Sequence, residues 1–353
     1  MRKITIAMLF GGMSSEHEIS KVSAQNVINL LSPEKYFVIP VYISKEGRWM
    51  LYDGNVDNLA NVHWDKQGTA AALSPDATQR GLMRLVGNKV KILPVDVVFP
   101  VMHGKCGEDG SVQGLCELAG IPCVGSGILS SAACLDKEFM KIVASSIGIP
   151  QTVYITAHKD DLEANMTEIY KQTRYKIGYP CFVKPANGGS SIGITKVNEK
   201  SELKAALENA SLYDKKFIIE RAVVGREFEC AVLGNRTPEV SGVAEILPSN
   251  EFYDYEAKYC DTGSQTIIDA DIADEIKKTL RDYAVRIYQA LNCAGMARVD
   301  FFYDTVKNRV LFNEINTIPG FTSISMYQML WKSKGMNGTE LVDKLIDLAL
   351  ENK

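Results

Sequence analysis

The absences in this 353-residue chain exclude several classes of protein at once. No apolar run approaches the length of a transmembrane helix, so a membrane-spanning role is not expected. Positive charge is not in excess: 39 Lys and Arg stand against 43 Asp and Glu, a formal net charge of −4. Nucleic-acid binding requires a concentrated basic surface, which this balance argues against. The start, Met-Arg-Lys followed by Ile4–Phe10, lacks a small-residue cleavage site, and Gly11-Gly12 and a polar stretch follow, so it reads as a buried first strand. The eight cysteines include no C-x-x-C pair, and Cys123, Cys181, Cys230 and Cys293 sit in apolar or strand-like stretches. They read as reduced core thiols of a cytoplasmic protein. No internal repeat, low-complexity tract or Gly/Ser linker separates one part from another, so the domains are expected to share wide interfaces. Neither G-x-x-x-x-G-K-[ST] nor G-x-G-x-x-G occurs in the glycine-rich segments considered below, which gives no support to a P-loop or a nicotinamide fingerprint.

The length suits two or three domains, and 46% hydrophobic with 23% charged residues is a globular composition. The apolar runs Lys3–Phe10, Phe37–Ser44, Asp96–Met102 and Pro122–Gly125 alternate with helical patterns at Ser20–Leu31 and Ser111–Ala119. That alternation predicts an α/β fold with a parallel sheet, and places a first domain at residues 1–127. A helix over Leu129–Ile147 opens a second α/β unit, closed by the strand Lys216–Arg221. The last third has strands at Glu227–Leu233 and Glu239–Ile246, an irregular polar stretch at Ser249–Ser264, helix Asp274–Leu291, a hairpin over Met296–Ile315 and two closing helices.

The hairpin carries the most chemistry. With its turn centred on Lys307, Asp300 faces Glu314 and Arg298 faces Asn316, all on one face beside the pair Phe302/Phe312. Two carboxylates so placed repel unless a cation lies between them. Arg298 supplies part of that charge, and a divalent ion held by Asp300, Glu314 and Asn316 would supply more. A solvated face in a slightly different register is the alternative.

A strand ending in Lys184 runs into Asn187-Gly188-Gly189-Ser190-Ser191-Ile192-Gly193, where backbone N–H groups and serine hydroxyls can converge on a phosphate; a plain turn is the alternative. Glu220 and Glu227 flank a short connector, placed either to bind adenine and ribose or to sit in water as strand-end charges. Lys137 by itself reads as an exposed lysine. Phe252–Tyr259, with three tyrosines in a charged loop, fits a lid or a packed surface loop. The loop from His103 to Gly110 follows a strand of the first sheet, the usual place for a ligand in an open α/β sheet. His103 is therefore a site candidate, whereas His17, His63 and His158 read as surface residues.

Taken together, the segments FGGMSSEHEIS, FPVMHGKCGEDGSVQG, LDKEFMK, FVKPANGGSSIGITK, EFYDYEAKY, ARVDFF and NEINTIPGFTSISMY resemble the D-alanine–D-alanine ligases of the ATP-grasp superfamily. They run in the family's order along nearly the whole chain. The resemblance implies a three-domain ATP-grasp fold: residues 1–127 as an N-terminal parallel-sheet (preATP-grasp) substrate domain, 128–220 as the central ATP-grasp subdomain, and 221–353 as the C-terminal subdomain with the metal and oxyanion site. It implies ATP-dependent joining of two D-alanines through a D-alanyl phosphate for peptidoglycan precursors, with two Mg²⁺ (or Mn²⁺), in a cytoplasmic homodimer.

Carried over residue by residue, it assigns Lys137, Lys184, Lys258, Ser190 and Ser191 to the ATP phosphates, and Glu220, Arg221, Val223 and Glu227 to adenine and ribose. Asp300, Glu314 and Asn316 become metal ligands. Glu16 takes the first D-alanine's ammonium and His103 lies near its carboxylate, while Arg298 and the N–H of Gly320 form an oxyanion hole. Ser325 and the N–H of Met326 receive the second D-alanine's carboxylate, and Glu16, Ser190 and Tyr259 form a hydrogen-bonded triad. Related ligases with D-lactate as acceptor carry histidine where this chain has Tyr259, and those using D-serine tend to carry arginine where it has Met326. The implied acceptor is therefore D-alanine, with D-serine or D-lactate as the alternative. Gln328 departs from the family, where many members have proline.

Overall fold

A computed structural model describes residues 2–52, 54, 56, 59, 67–247 and 265–351. The continuous apolar run at the start forms β1 (Ile4–Gly11), which stops where Gly11 takes a φ of +88°. A Cβ there would lie 2.3 Å from the carbonyl oxygen of Ile43, so only glycine fits. Helix α1 (His17–Leu30) returns the chain to β2 (Tyr36–Ile43), which pairs in parallel with β1. Then come β3 (Trp49–Leu51), β4 (Thr69–Leu73), β5 (Gly81–Val86), β6 (Lys89–Pro94) and β7 (Val97–Pro100). The seven-stranded sheet has the order β6-β5-β4-β3-β2-β1-β7.

Its parallel centre (β2-β1-β7, continued by a bridge from Val98 to Cys123) is the part expected from the apolar runs. The antiparallel extension β3–β6 was not foreseen, because these strands are short and partly exposed. One signal existed: Val86 pairs with Lys89 across the two-residue turn Gly87-Asn88, a hairpin dipeptide.

Helices α2 (Ser111–Leu118), α3 (Ile128–Leu135) and α4 (Lys137–Ser146) follow. The single helix expected over Leu129–Ile147 is thus two, broken at Asp136. Its carboxylate caps α4 by accepting from the N–H groups of Glu138 and Phe139. The break matters, because it puts Lys137 at the first turn of a new helix, where its backbone N–H donates to Ala186 next to the glycine-rich loop.

The second sheet is four-stranded and antiparallel, in the order β10-β9-β11-β8. It contains β8 (Tyr154–His158), β9 (Cys181–Pro185), β10 (Thr195–Val197) and β11 (Lys216–Arg221), with α5 (Asp161–Ala164), α6 (Met166–Gln172) and α7 (Leu203–Ala210) in the connections. The third sheet is five-stranded and antiparallel, in the order β14-β13-β12-β15-β16. Its strands are β12 (Gly225–Leu233), β13 (Glu239–Leu247), β14 (Gln265–Ile267), β15 (Met296–Asp304) and β16 (Arg309–Asn316). Helix α8 (Asp274–Ala290) lies between β14 and β15, and α9 (Met326–Ser333) and α10 (Gly338–Glu351) close the chain.

The wide interfaces expected from the missing linkers are present. One core joins Ile6, Met8 and Phe10 of β1 to Ala231 and Leu233 of β12 and to Leu345 and Ile346 of α10. Each of the larger apolar side chains among them contributes roughly 1.5–3 kcal/mol when fully buried, so the N-terminal sheet is fastened to the C-terminal third by its own core residues.

Candidate active site

The cleft between the second and third sheets has one basic wall. On antiparallel β9 and β11, Lys184 and Glu220 are diagonal neighbours, with Lys184 Nζ 2.8 Å from Glu220 Oε2. From α4, Lys141 Nζ donates to Glu220 Oε1 at 2.6 Å, and the Thr152 hydroxyl donates to the same oxygen. Burial alone would raise the Glu220 carboxyl, but the two ammonium groups outweigh it and hold it down at about 2. One turn before Lys141, Lys137 Nζ donates to the Gly188 carbonyl at 2.5 Å. Lys137 is buried, not the exposed residue its local sequence suggests, because α4 starts beneath the glycine-rich loop. In that loop Ser190 and Ser191 hold φ of 50° and 58°, a left-handed conformation that non-glycine residues adopt at a cost of ~1 kcal/mol each. Such strain persists where the fold over-determines it, as at an anion-binding turn.

The opposite wall is acidic. Glu227 and Glu229 alternate on β12, and β15 presents Arg298, Asp300 and Phe302 with the same period. The hairpin pairs Arg298 with Asn316 and Asp300 with Glu314, as expected, but by a different route. Its far end is paired one residue out, Asp304 with Arg309, and a bulge beyond Asp300 restores the alignment. Phe312 therefore pairs with Phe301 on the core side, not with Phe302, which lines the cleft together with the bulged Asn313.

Arg298 makes a two-pronged contact with Asp300, Nε to Oδ1 at 2.8 Å and Nη2 to Oδ2 at 2.7 Å. It also lies 3.2 Å from Glu229, and Asn316 Nδ2 donates to Asp300 at 3.3 Å. Burial opposes the charge on Arg298, yet Asp300 and Glu229 raise its pKa well above the ordinary value. Lys137 Nζ stands 3.7 Å from Glu314 and ties the two walls together.

Among the described residues no three His, Cys, Asp or Glu side chains gather as a ready metal cage. The candidate set of two carboxylates and one carboxamide on a single face nevertheless has the hard-oxygen chemistry that suits Mg²⁺. Its negative charge is met here by Arg298 and Lys137.

Next to this cleft, and sharing Glu229 and Glu314 with it, is a second pocket. Glu16 enters from the loop before α1, and the hydroxyl of Ser190 donates to it, joining the N-terminal loop to the glycine-rich loop. A Cβ on Gly189 would lie 2.8 Å from Glu16 Oε2, so a larger residue there would make the Glu16 carboxylate shift. His103 Nδ1 donates to the Ile318 carbonyl at 3.1 Å, which leaves Nε2 buried without a protein partner among the described residues. Burial lowers the His103 pKa, against an opposing pull from Glu16.

Glu108 accepts from the N–H groups of Gly104 (2.7 Å) and Ile318 (3.1 Å), clamping the His103 loop to the segment after β16. Burial, then the charge of Glu16, pushes its carboxyl up to about 8. Arg298, Gly320, Ser325 and the buried Met326 complete the pocket. Ser325 stands at the N-terminus of α9 without a side-chain capping bond; its oxygen accepts from the Thr322 N–H at 2.9 Å and lies 2.8 Å from the Thr322 hydroxyl. Gln328, the departure from the family pattern, donates to the Phe321 carbonyl at 3.2 Å and accepts from Asn26 of α1. That same carbonyl accepts from Asn26 at 2.7 Å, so the loop carrying Gly320 is held by side chains from both ends of the protein.

The candidates named from sequence therefore mostly converge, with two qualifications. Arg221, Val223 and Glu227 line the cleft with Glu220, and the guanidinium of Arg221 donates to the carbonyls of Ile177 (2.6 Å) and Lys176 (3.0 Å). Lys258 and Tyr259, with the Ser249–Ser264 stretch and Phe252–Tyr259, fall outside the described residues, as does His63.

His17 is a correction: it is buried, with Nδ1 donating to the Gly12 carbonyl at 2.7 Å and Nε2 3.1 Å from the Tyr42 hydroxyl. Sequence reasoning also passed over Lys141, Glu229 and Glu108. Lys141 had a signal, one helical turn from Lys137; so did Glu229, two residues from Glu227 on a strand. Glu108 had none, since its role as a clamp depends on the N–H of Ile318, far away in sequence.

Residues 5–126 match the family model described as D-ala D-ala ligase N-terminus, and residues 143–347 match D-ala D-ala ligase C-terminus. The chain is 49% identical to the D-alanine–D-alanine ligase of Caldicellulosiruptor bescii, covering 99% of this chain and 96% of the relative. It is 44% identical to D-alanine–D-alanine ligase B of Clostridium tetani, covering 100% and 95%. Among solved structures it superposes on the VanG D-Ala:D-Ser ligase from Enterococcus faecalis with a TM-score of 0.89, at 41% identity over 99% of this chain and all of the other. It superposes on the D-alanine–D-alanine ligase from Coxiella burnetii with a TM-score of 0.85, at 34% identity over 100% and 95%.

Proposed function

The chain belongs to the D-alanine–D-alanine ligase family, and from that premise we propose that it joins two D-alanines at the expense of ATP, through a D-alanyl phosphate, to supply peptidoglycan precursors. The observation that carries this reading is the pair of adjoining pockets with a common wall at Glu229 and Glu314. One pocket has lysines at its base and apolar side chains above, as a nucleotide needs. The other has a carboxylate, a guanidinium, an imidazole nitrogen without a partner among the described residues and a helix N-terminus, as two small amino acids need.

In the first step the carboxylate of one D-alanine attacks the γ-phosphate, the bond from the γ-phosphorus to the bridging oxygen breaks and ADP leaves, with Lys137, Lys184 and the loop N–H groups near Ser190 and Ser191 spreading the phosphate charge. Glu16 holds the ammonium of that D-alanine: Arg298 and Lys137 are engaged with Glu229, Asp300 and Glu314, while Glu16 has the neutral Ser190 hydroxyl as its donor. His103 suits the carboxylate: an anion arriving at Nε2 favours its protonation, after which Nε2–H donates to it while Nδ1–H stays on Ile318.

In the second step the free amine of the other D-alanine attacks the activated carbonyl. Arg298 and the Gly320 N–H face the oxygen on which charge develops, and phosphate leaves. The acceptor's carboxylate fits the Ser325 hydroxyl and the Met326 N–H at the start of α9, where the helix dipole favours an anion. Asp300, Glu314 and Asn316 would hold Mg²⁺, which supplies charge neutralisation between the acidic wall and the phosphates. On this reading Glu220 is an anchor for Lys141 and Lys184, and Arg221 serves by position only. The division into 1–127, 128–220 and 221–353 is part of this reading, supported by the grouping of the strands into three sheets, with Arg221 still the last residue of β11. The family resemblance further implies a homodimer, which sedimentation velocity measures directly.

A specific likeness favours a second reading, D-serine as acceptor, since the VanG D-Ala:D-Ser ligase superposes closely. Met326 favours D-alanine, because its buried apolar side chain offers no donor to a hydroxyl. Competition among D-alanine, D-serine and D-lactate as acceptors, with the products resolved, tests both; mainly D-alanyl-D-serine would overturn the D-alanine assignment.

A further inference from the structure

Lys184, the lysine best placed for phosphate, has a carboxylate as its nearest partner. With Glu220 alone, the buried pair Lys184–Glu220 would carry no net charge toward an anionic ligand. A third buried charge alters this. Lys141 Nζ donates to Glu220 Oε1 at 2.6 Å while Lys184 Nζ lies 2.8 Å from Oε2, so the carboxylate is shared and the trio carries one net positive charge. Lys141 is 1% exposed and does not border the cleft; Tyr154 covers it with a ring 5.7 Å from Nζ. Such a lysine is costly to bury, and a hydrophobic residue of its volume would pack there more cheaply. The ionised state of Glu220 agrees with this sharing, since two ammonium groups hold its carboxyl far below the usual range.

We propose that Lys141 is a positioning residue for nucleotide binding, which occupies one oxygen of Glu220 so that the charge of Lys184 stays available to a polyphosphate. This rests on the reading of the cleft as the ATP site. It goes beyond the residues that touch ATP, because Lys141 acts only through Glu220 and Lys184. A purely structural role, filling space between α4 and β11, would give the same buried position but not the same response to charge.

The test is calorimetric titration with the Mg²⁺ complex of a non-hydrolysable ATP analogue, with circular dichroism to confirm folding. Lys141→Met removes the extra charge and is expected to weaken binding on the order of tenfold or more. Lys141→Met combined with Glu220→Gln restores the net charge of the trio and is expected to recover most of that loss. Glutamine keeps an acceptor for Lys184 and for any donor on the ligand. Affinity unchanged in Lys141→Met, or a double variant no tighter than the single one, overturns the proposal.

Should Lys141→Met fail to fold, Lys141→Gln removes the same charge while keeping a polar group beside Glu220. A tenfold weaker affinity of folded Lys141→Gln supports the proposal, and an unchanged affinity overturns it. Failure of the parent protein to bind the analogue at all would refute the ATP reading itself, an outcome distinct from either.

Discussion

The two walls of the cleft carry opposite charge and are built differently. On the four-stranded side, three lysines share one carboxylate and one backbone carbonyl, leaving a surplus of positive charge. On the five-stranded side, Glu229 and Asp300 share Arg298, Glu314 is reached by Lys137 from the first wall, and Glu227 lies on the same face, leaving a surplus of negative charge among the described residues. A polyphosphate can contact the first wall directly, but it needs a cation between itself and the second. The basic wall is therefore expected to govern how tightly ATP binds, and the acidic wall how fast its phosphoryl group transfers.

The strongest way to break this contrast is to remove one charge from each wall. Glu314→Gln keeps the shape and deletes a charge, so kcat should fall on the order of 10²-fold or more with the fold intact. Lys184→Met should act mainly on the KM for ATP. Near-normal phosphate release by folded Glu314→Gln, or a Lys184→Met variant that loses kcat at unchanged KM, would merge the two roles.

Met326→Arg sharpens the other side of the site. A hydrophobic contact rejects an added hydroxyl only weakly, so the parent should accept some D-serine while preferring D-alanine by about tenfold or more. D-Lactate should be poorer still at neutral pH. Arginine supplies a donor that D-alanine cannot use, and the ratio of kcat/KM for the two acceptors should move toward D-serine. Its effect on phosphoryl transfer to the first D-alanine should be smaller.

A smaller effect is expected at Gln328, which shares the Phe321 carbonyl with Asn26. Gln328→Ala should raise the KM for the acceptor by roughly two- to fivefold, the worth of about one neutral hydrogen bond. The KM for ATP should not change, and an equal rise in both would deny it a local role.

The mildest prediction concerns Glu108. Its carboxyl is raised from 4.5 to about 8, first by burial and then by Glu16, so folding takes up a proton between those values. That contribution is fully present below the unfolded pKa and is lost as pH rises through about 8. The parent's Tm should therefore decline over this window by roughly a few degrees more than that of Glu108→Gln, which cannot titrate. Parallel Tm profiles would contradict the raised carboxyl.

How much of this was legible beforehand varies by residue. Asp300 and Glu314 could be paired from strand alternation, although a turn centred half a residue away and a bulge cancelled to give the expected register. Lys184 and the glycine-rich loop were visible as a strand running into small residues. Lys137 was not, since its burial depends on a helix break at Asp136 and on a loop fifty residues later. His17 was misplaced because its partners are the carbonyl of Gly12 and the hydroxyl of Tyr42 on another strand.

The sequence by itself determined the α/β alternation, the strand-to-loop junctions that carry ligand groups, and the ordered motifs that mark the family. These are local properties: apolar period, glycine placement and the residue types at strand ends. Only the tertiary structure decided which charges meet. Glu220 sits between Lys141 and Lys184, Arg298 spans Glu229 and Asp300, and Glu108 fastens Gly104 to Ile318. The physical reason is that the sign and strength of a buried charge depend on neighbours brought from distant chain segments, in a medium that screens them little.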